Sequence, residues 1–367
     1  MYNNLYQRLF EYFMLLLDGG IAMVQSESTS LEKKSIWRSI FVGKDVPVIS
    51  AALLLFIIFS TLSDSFLTAF NLFNISRTAA LYIFIALGQA MALIVGGMNL
   101  SLGQIGGLTV VIAGYSMQNL NMPPMLAVIL GMCVGLLCGI INGVIITRLN
   151  LAPFVATLAT SFIFTGFING ISEGYPFTGI PDSFTTLGRN GFIGIPLILF
   201  LALFTLIIVW YFFRYMITGR QLLATGGNKE AARLSAVNTS KMVIIANMAS
   251  GLFAAIAGLL WISRMGAAQP ATGGDWLVIS FAVAVIGGTS LQGGAISPLG
   301  ILFSSFLIVM VRNGLVMMNA NVYYEQTFLG LILLTAVSLE SFRFIIANRQ
   351  LRKSLLSRSD KSKKREE

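Results

Sequence analysis

Residues 78–147 read TAALYIFIALGQAMALIVGGMNLSLGQIGGLTVVIAGYSMQNLNMPPMLAVILGMCVGLLCGIINGVIIT and contain no charged residue. As one helix this 70-residue stretch would be about 105 Å long at about 1.5 Å per residue. A bilayer core about 30 Å thick takes only about 20 helical residues. The stretch therefore predicts three membrane-spanning helices joined by tight turns, near residues 78–96, 100–118 and 124–146.

The rest of the chain has the same character. Of its 367 residues 56% are apolar and 11% are charged, and the mean hydropathy is +0.82, whereas soluble domains have about 25% charged residues. Further uncharged runs predict spans near residues 46–62, 153–171, 193–213, 242–262, 277–292, 296–311 and 326–342. The sequence thus predicts an all-α integral membrane protein with about ten transmembrane helices, of which 277–292 and 296–311 are short or broken.

Basic residues predict the topology, because cytoplasmic loops of membrane proteins are enriched in Lys and Arg. With ten spans and both termini inside, 20 of the 24 Lys and Arg residues fall on the cytoplasmic side. The remaining four, on the outside, are Arg77, Arg189, Arg264 and Arg312. A missed or invented span would move the basic end of the chain to the wrong side.

The same topology divides the chain into regions. The predicted regions are a cytoplasmic N-terminal segment 1–44, a transmembrane domain 45–345 containing a cytoplasmic loop 214–241, and a basic cytoplasmic tail 346–367. Met23 is the predicted initiator, because the polar stretch after it is typical of a cytoplasmic start. The alternative is that residues 1–22 form an interfacial helix.

Composition excludes several kinds of chemistry. The chain has no histidine, which removes the usual general base and the commonest metal ligand. Cys133 and Cys138 match neither a redox pair nor a zinc site and are predicted to be buried and inert. No phosphate-binding GxxxxGK[ST] loop is present, so any energy-driven step would take its energy from elsewhere. We therefore expect no catalytic residue, metal or cofactor. We also expect no nucleic-acid partner, because the net charge of +9 reflects the membrane topology.

The predicted membrane interior is short of charge. Carboxylates or lysines inside a membrane mark ion and proton coupling, because burying a charge there is expensive. The predicted spans contain essentially none, and instead carry neutral hydrogen-bonding side chains such as Gln89, Asn99, Gln104 and Asn142. Such groups suit a neutral polar solute such as a sugar. The alternative is that small and polar residues serve close packing between helices.

Two segments repeat the pattern GGxxLxxG after a run of Ala, Val and Ile. The first is GGMNLSLG at 96–103 and the second is GGTSLQGG at 287–294. Each falls where two predicted spans meet with almost no loop. Glycine breaks at matching places in two halves of a transporter indicate a solute site or gate, because unwound backbone offers free N–H and C=O groups. The sequence therefore predicts two pseudo-repeated halves with broken, glycine-rich helices.

Loop 214–241 is the one sizeable hydrophilic segment within the domain and reads RYMITGRQLLATGGNKEAARLSAVNTSK. Asn228 is a predicted helix N-cap, with Glu230 in the first turn and Ala231 and Ala232 after it. Such a short helix with small side chains fits a groove of a partner protein. The alternative is a solvated connector between two spans.

Four motifs in this order carry a resemblance to a known family. They are GGMNLSLG (96–103), NGVIITRLNLAPFVATLAT (142–160), GRQLLATGGNKEAARLSAVN (219–238) and GGTSLQGGAISPLG (287–300), the last followed by RNGL (312–315). Across residues 45–345 the chain resembles the permease subunits of ATP-binding-cassette (ABC) importers of the ribose, xylose, arabinose and galactose type, a group with branched-chain amino acid and nucleoside relatives.

The resemblance implies a non-catalytic subunit that translocates a monosaccharide of the ribose class across a bacterial plasma (inner) membrane, with both termini cytoplasmic. The implied partners are a second permease chain, identical or related, two ABC ATPase subunits, an extracytoplasmic solute-binding protein and the lipid bilayer. ATP hydrolysis would belong to the ATPase subunits.

The resemblance also implies roles for two sets of residues. Segment 219–238 looks like the family's coupling loop, and the two GGxxLxxG segments would line the solute pathway or its gate. The implied coupling residues are Gly219, Arg220, Gly226, Asn228, Ala231 and Ala232. The implied pathway or gate residues are Gly96, Gly97, Asn99, Ser101, Gly103, Gly287, Gly288, Thr289, Ser290 and Gln292.

Two positions depart from the family pattern, and alternatives for the function stay open. Asn99 stands where the family usually has Asp, which puts an ion-pair role in doubt, and Ala236 stands where it usually has Gly, which would stiffen the end of the coupling helix. Alternative solutes are a nucleoside, a polyol, a signalling furanose or an amino acid. An alternative from another class is a secondary transporter with inverted repeats, which the missing intramembrane charges disfavour.

Overall fold

The computed structural model describes residues 45–317 and the single positions 327, 330, 331, 334 and 338. The helices of residues 45–317 are α1 (Val46–Leu62), α2 (Ala69–Leu93), α3 (Leu102–Gln118), α4 (Pro124–Arg148), α5 (Pro153–Ser172), α6 (Asp182–Arg189), α7 (Leu197–Tyr215), α8 (Ile217–Gly227), α9 (Lys229–Leu234), α10 (Thr239–Met265), α11 (Trp276–Ile286) and α12 (Pro298–Met317). Strands β1 (Gly191–Phe192) and β2 (Ile195–Pro196) form an antiparallel hairpin between α6 and α7.

The predicted all-α membrane fold is confirmed. Within the described part of the chain, six helices (α2, α4, α5, α7, α10 and α12) are long and apolar enough to cross a membrane. Helices α1 and α11 are shorter apolar helices, and every predicted span between 46 and 311 overlaps a helix. The predicted span 326–342, the N-terminal segment 1–44 and the basic tail 346–367 lie outside the described residues, apart from the single positions named above.

Three helices extend beyond the predicted spans and include arginines that were expected outside the membrane. Helix α2 begins at Ala69 and includes Arg77, α10 includes Arg264, and α12 includes Arg312. The expected ends were wrong because each charge was taken as the boundary of a span. Each arginine has polar partners that allow the helix to continue: Arg264 Nη1, for example, donates to the hydroxyl of Thr78 at 3.0 Å.

Helix α2 is the centre of the bundle. Every residue from 79 to 94 is buried, and α2 packs against α7, α10, α11 and α12. A helix that is apolar on all sides is stable only when neighbours surround it. The C-terminal end of α2 is therefore held in place by the elements around it.

A row of glycines joins α4 to α10. Four glycines recur at every fourth residue of α4, at Gly131, Gly135, Gly139 and Gly143. A Cβ atom on Gly143 would lie 2.7 Å from the Cα of Ile244, and one on Gly135 would lie 2.5 Å from the carbonyl oxygen of Gly251. The two backbones are thus in direct contact, as in other membrane helix pairs with small residues at the interface.

The two cysteines of α4 differ in exposure. Cys138 is buried, as expected, whereas Cys133 is exposed. The expectation that both are buried was wrong for Cys133, because the apolar run around it does not distinguish the faces of α4 that pack from those that do not.

The chain between α10 and α11 leaves the helical conformation and runs back along the bundle. Helix α10 ends at Gly266, which has the left-handed φ of +73°. Ala268 then exchanges two backbone hydrogen bonds, of 2.8 and 3.0 Å, with Phe177. Further along, a Cβ on Gly107 of α3 would lie 2.6 Å from the carbonyl oxygen of Thr272. We refer to residues 266–275 as the re-entrant segment.

This segment explains why α11 is short. Trp276, the first residue of α11, is 1% exposed, so the helix starts inside the bundle and needs only 11 residues. It ends at Ile286, and the predicted span 277–292 is therefore too long by six residues at its C-terminal end.

The connection before α7 packs on the end of α10, which the sequence analysis did not predict. The hydroxyl of Ser263 donates to the carbonyl of Phe184 at 2.6 Å and accepts from the N–H of Gly188 at 2.8 Å. Arg189 donates to the carbonyl of Met265 at 3.1 Å. A guanidinium at the last carbonyls of a helix stabilises that end through its charge.

We expect Gly143→Val to prevent α4 from packing against α10, because the added side chain would overlap the backbone of Ile244, and overpacking costs about 1–3 kcal/mol or more. Gly166→Val on α5 is the matched control, because nothing lies within 4 Å of a Cβ there. Size-exclusion chromatography of the detergent-extracted variants should give a sharp monodisperse peak for Gly166→Val and lose it for Gly143→Val. Equal profiles for the two would contradict the packing described here.

Candidate functional site

Helix α2 ends in a Schellman motif, in which a left-handed residue closes the last turn. Gly96 has φ +75°, and its N–H donates to the carbonyl of Leu93 at 2.8 Å. The N–H of Gly97 donates to the carbonyl of Ala92 at 3.1 Å. A left-handed conformation costs a residue with a Cβ about 1–2 kcal/mol, which explains the glycine at position 96.

Helix α11 ends in the same motif. Gly288 has φ +81° and donates to the carbonyl of Val285 at 2.9 Å, and Thr289 donates to the carbonyl of Ala284 at 3.0 Å. The two GGxxLxxG segments therefore cap their helices alike, but shifted by one residue, because the counterpart of Gly96 is Gly288. Gly287 has a different task, since a Cβ there would lie 2.8 Å from the backbone of Ile301 in α12.

The loops that follow these two helices touch each other through their backbones. The N–H of Gly294 donates to the carbonyl of Ile94 at 2.9 Å. A Cβ on Gly293 would lie 2.9 Å from the backbone nitrogen of Gly96. The two repeated segments are thus neighbours in space.

Loop 214–241 joins this contact through Gly226. A Cβ on Gly226 would overlap the carbonyl oxygen of Ile94 and lie 2.7 Å from the backbone nitrogen of Gly294. We refer to Ile94, Gly96, Gly226, Gly293 and Gly294 as the glycine junction. No side chain lies between these backbones, so α8 is in direct contact with the loops at the ends of α2 and α11.

The predicted helix start in loop 214–241 is confirmed. The side-chain oxygen of Asn228 accepts from the N–H of Ala231 at 2.9 Å, and Glu230 lies in the first turn of α9. The structure adds helix α8 before it. Gly226 and Gly227 are therefore the last turn of a helix and not a flexible connection.

The predicted coupling residues divide by exposure. Exposed to solvent are Arg220, Asn228 and Ala231. Half-buried or buried within the chain are Gly219, Gly226 and Ala232. The outer side of α9 also carries Leu234, which is 88% exposed and lies three residues after Ala231. This side of α9 is small and apolar, whereas Ala232 faces inward.

The polar residues of the first repeated segment form a closed network. The amide nitrogen of Asn99 donates to Ser250, and its oxygen accepts from the hydroxyl of Ser101, both at 2.8 Å. Asn142 donates to Ser101 at 2.8 Å and accepts from Thr160 at 2.7 Å. Asn99 and Ser101 are fully buried. The network therefore ties the loop after α2 to α4, α5 and α10.

The predicted pathway residues differ in the space around them. Gly96 and Gly97 line a cavity of about 240 Å³ that Lys229, Ser240 and Asn247 also line. Exposed in the second segment are Gly288 and Gln292, and half-buried is Ser290. The remaining five residues are buried within the described part of the chain: Asn99, Ser101, Gly103, Gly287 and Thr289. A pathway role for these ten residues stays a prediction.

Comparison with known proteins identifies the family. Residues 71–337 match the family described as "Branched-chain amino acid transport system / permease component". The chain belongs to this permease family.

Its relatives include sugar permeases that match over nearly their whole length. The ribose import permease protein of Bacillus subtilis (strain 168) is 33% identical over 320 residues, which cover 86% of this chain and 98% of the relative. The galactose/methyl galactoside import permease protein of Escherichia coli (strain K12) is 32% identical over 335 residues, 86% and 98% of the two chains. The D-allose transport system permease protein of the same strain is 30% identical over 322 residues, 88% and 98%. No solved structure gives a significant match.

Sequence reasoning missed part of the glycine junction. Gly293 and Gly294 lie within the motif GGTSLQGG, but the pathway residues predicted from that motif end at Gln292. Their left-handed φ angles of +92° and +76° give the physical reason for the second glycine pair. Ile94 contributes a carbonyl group, and a backbone contact of this kind leaves no signal in the side-chain sequence.

The end of this permease's α9 contains a residue in a strained conformation. Ala236 has φ +61°, its N–H donates to the carbonyl of Arg233 at 3.1 Å, and Val237 donates to the carbonyl of Ala232 at 3.0 Å. This is a third Schellman motif, with alanine at the position that favours glycine.

We expect Ala236→Gly to stabilise α9 by about 0.5–1 kcal/mol, because glycine removes the left-handed strain at a smaller entropic cost. Ala231→Gly, in the interior of the same helix, should destabilise it by about 1 kcal/mol. Hydrogen exchange of the α9 amides in the purified protein should slow about two- to fivefold in the first variant and quicken in the second. Faster exchange in Ala236→Gly would contradict the motif.

Proposed function

We propose that this chain is the membrane-spanning permease subunit of an ABC importer and that it carries a monosaccharide of the ribose class across a bacterial plasma membrane. The observation that carries the proposal is the glycine junction, where loop 214–241 contacts the loops after α2 and α11. The printed names of the relatives, which import ribose, galactose and allose, support the solute class. The chain itself is non-catalytic.

The proposed partners follow the arrangement of such importers. They are a second permease chain, identical or related, two ABC ATPase subunits and an extracytoplasmic solute-binding protein. Loop 214–241 and both termini face the cytoplasm in this proposal. The outer side of α9, with Ala231 and Leu234 exposed, docks on an ATPase subunit, and the large exposed apolar side chains of α5 and α7 face lipid.

The proposed mechanism is mechanical coupling through backbone. Closure of the ATPase subunits on ATP displaces α9, and α8 follows because a single residue, Asn228, links the two helices. The last turn of α8 then moves against the carbonyl of Ile94 and the backbone of Gly294. Side chains could absorb such a displacement by changing rotamer, but the junction has none between the three backbones. The ends of α2 and α11 therefore move together and open or close the pathway beside them.

The neutral polar network around Asn99 suits the proposed solute. Amide and hydroxyl side chains bury well when paired with each other, and the network around Asn99 leaves no charge for a proton or sodium ion to follow. The step is translocation without any bond made or broken. The solute alternatives from the sequence, a nucleoside, polyol, furanose or amino acid, remain to be separated by uptake measurements.

The first test is co-purification of the tagged chain from native membranes in a mild detergent. We expect an ATPase with a phosphate-binding loop to be recovered stoichiometrically, and we expect Ala231→Asp to lose it, because an unpaired carboxylate enters a tight interface. Asn121→Asp is the control, because it introduces the same carboxylate at an exposed position at the opposite end of the bundle. Recovery of the chain alone under several detergents, together with solute uptake driven by an ion gradient, would favour the secondary transporter.

Two neighbouring glycines test the coupling itself. A methyl group at Gly226 overlaps the carbonyl of Ile94, whereas nothing lies within 4 Å of a Cβ on Gly227. We expect Gly226→Ala to reduce ATP-dependent D-ribose uptake at least about tenfold, which corresponds to about 1.4 kcal/mol in coupling, while Gly227→Ala stays near wild type. Uptake is normalised to the amount of assembled complex, measured by size-exclusion chromatography. Wild-type uptake by Gly226→Ala would remove the junction from the mechanism.

A further inference from the structure

An ion pair joins the start of α11 to α12 and α2. Arg312 Nη1 lies 3.8 Å from Oδ2 of Asp275. Arg312 also donates to the hydroxyl of Tyr82, and its guanidinium lies 5.7 Å from the centre of that ring. The sequence predicts essentially no charge inside the spans, and this pair corrects that prediction.

The positions of these residues along their helices give the depth of the pair. Tyr82 is 13 residues from the first residue of α2 and 11 from the last, which is about 20 Å and about 16 Å along the axis. Arg312 is 14 residues from the start of α12 at Pro298, about 21 Å. Since a bilayer core is about 30 Å thick, the pair lies within the membrane-spanning part of the bundle and not at its rim.

The pair is partly open to its surroundings. The side chain of Asp275 is 45% exposed and that of Arg312 is 26% exposed, while Tyr82 is buried. Charged groups at this depth are too costly to face acyl chains and therefore face protein or a water-filled cavity. The exposed part of Asp275 is therefore expected to face protein or a water-filled cavity and not lipid.

The residues next to Asp275 agree with this orientation. Ala271 and Gly274 of the re-entrant segment are exposed, as is Val278 in the first turn of α11. The exposed positions of α7 are instead large and apolar, for example Phe204 and Ile207. A surface of small residues around a charged pair leaves room for a solute, whereas the α7 surface is typical of a lipid contact.

One face of α2 carries a row of buried or half-buried polar side chains on both sides of the pair. Along this face, at intervals of seven, four and seven residues, lie Asn71, Thr78, Tyr82 and Gln89. Asn71 exchanges amide hydrogen bonds of 2.8 and 3.1 Å with Asn313. Gln89 is fully buried, and neither its amide nitrogen nor its oxygen has a hydrogen-bond partner among the described residues. A buried amide without partners is destabilising, so this end of the row is a costly position in the core of the bundle.

We propose that Asp275 and Arg312 form a solute contact in the wall of the translocation pathway and bind adjacent hydroxyl groups of a neutral sugar, while the buried Tyr82 positions the guanidinium of Arg312. The inference rests on the proposed function and adds the residues that meet the solute. The carboxylate accepts hydrogen bonds from two hydroxyls, and the guanidinium donates to two oxygens in a fixed plane. Because the two charges cancel, the contact favours neither anions nor cations, and it selects a solute rich in hydroxyl groups.

The first experiment measures water access without disturbing the pair. In a chain with both cysteines replaced by serine, Val278→Cys places a thiol beside Asp275, and Ile207→Cys on α7, at a position 62% exposed, is the matched lipid-facing control. Native membrane vesicles are treated with a membrane-impermeant charged methanethiosulfonate. We expect the thiol at position 278 to react at least about tenfold faster than the one at 207. Equal rates would overturn the proposal.

The second experiment measures what the pair does. We expect Asp275→Asn and Arg312→Gln each to reduce ATP-dependent D-ribose uptake at least about tenfold, while the ATPase rate of the assembled complex stays within about twofold. Charge reversal of both residues together, Asp275→Arg with Arg312→Asp, restores a pair but exchanges donor and acceptor, and uptake should stay low. Restored uptake in the reversed pair would assign it a purely structural task and overturn the solute contact.

The outcomes separate this inference from the proposed function. If an ATPase co-purifies and D-ribose uptake requires ATP, but both single variants import at the wild-type rate, the solute contact alone is wrong. If no ATPase co-purifies, the importer proposal fails, and the reactivity at position 278 still decides whether the pair faces water.

Discussion

Backbone-to-backbone contact at Gly226 is the constraint on which the rest of the structure depends. The carbonyl of Ile94, the N–H of Gly294 and the last turn of α8 meet with no room for a methyl group. A contact of this kind is stiff, because it has no rotamers to change. It also requires that α2 and α11 both end at this place. Both helices end there in a Schellman motif, with Gly96 and Gly288 in the left-handed conformation.

The polar groups of the bundle form two systems with different tasks. The network of Asn99, Ser101, Asn142 and Thr160 is closed, since the members bond to one another in the buried interior. Satisfied networks of this kind rigidify a structure, and this one holds the loop that carries the junction. The second system is the Asp275–Arg312 pair, which is partly exposed and lies beside the buried polar row on α2. The closed network supports the junction, and the partly exposed pair is where we propose that the solute binds.

Much of the fold could be predicted from the sequence, and the failures have physical causes. The lengths of the uncharged runs predicted the bounds of α1 and α4 well, because a single segment that crosses lipid satisfies its backbone hydrogen bonds only as a helix. Asn228 could be predicted as an N-cap because its side chain bonds to the backbone of residues next to it in the sequence. Arg312 was misplaced because the partner that makes its burial possible, Asp275, lies 37 residues earlier in the sequence. The sequence repeat aligns Gly96 with Gly287, whereas the structural counterpart of Gly96 is Gly288. A pair of adjacent glycines in the sequence does not indicate which of the two is left-handed. The glycine junction was beyond reach, because contacts between distant backbones leave no pattern in side chains.

The central claim is that α9, α8 and the junction move as one body when ATP binds. Pulsed electron–electron double resonance on the reconstituted complex tests it most directly, with spin labels at exposed Arg233, Gln292 and Asn121. The account predicts that ATP leaves the distance between 233 and 292 unchanged within about 2 Å and changes the distance from 292 to 121, at the opposite end of the bundle. A change between 233 and 292 with 292 to 121 constant would mean that α9 moves without the junction and would contradict the account.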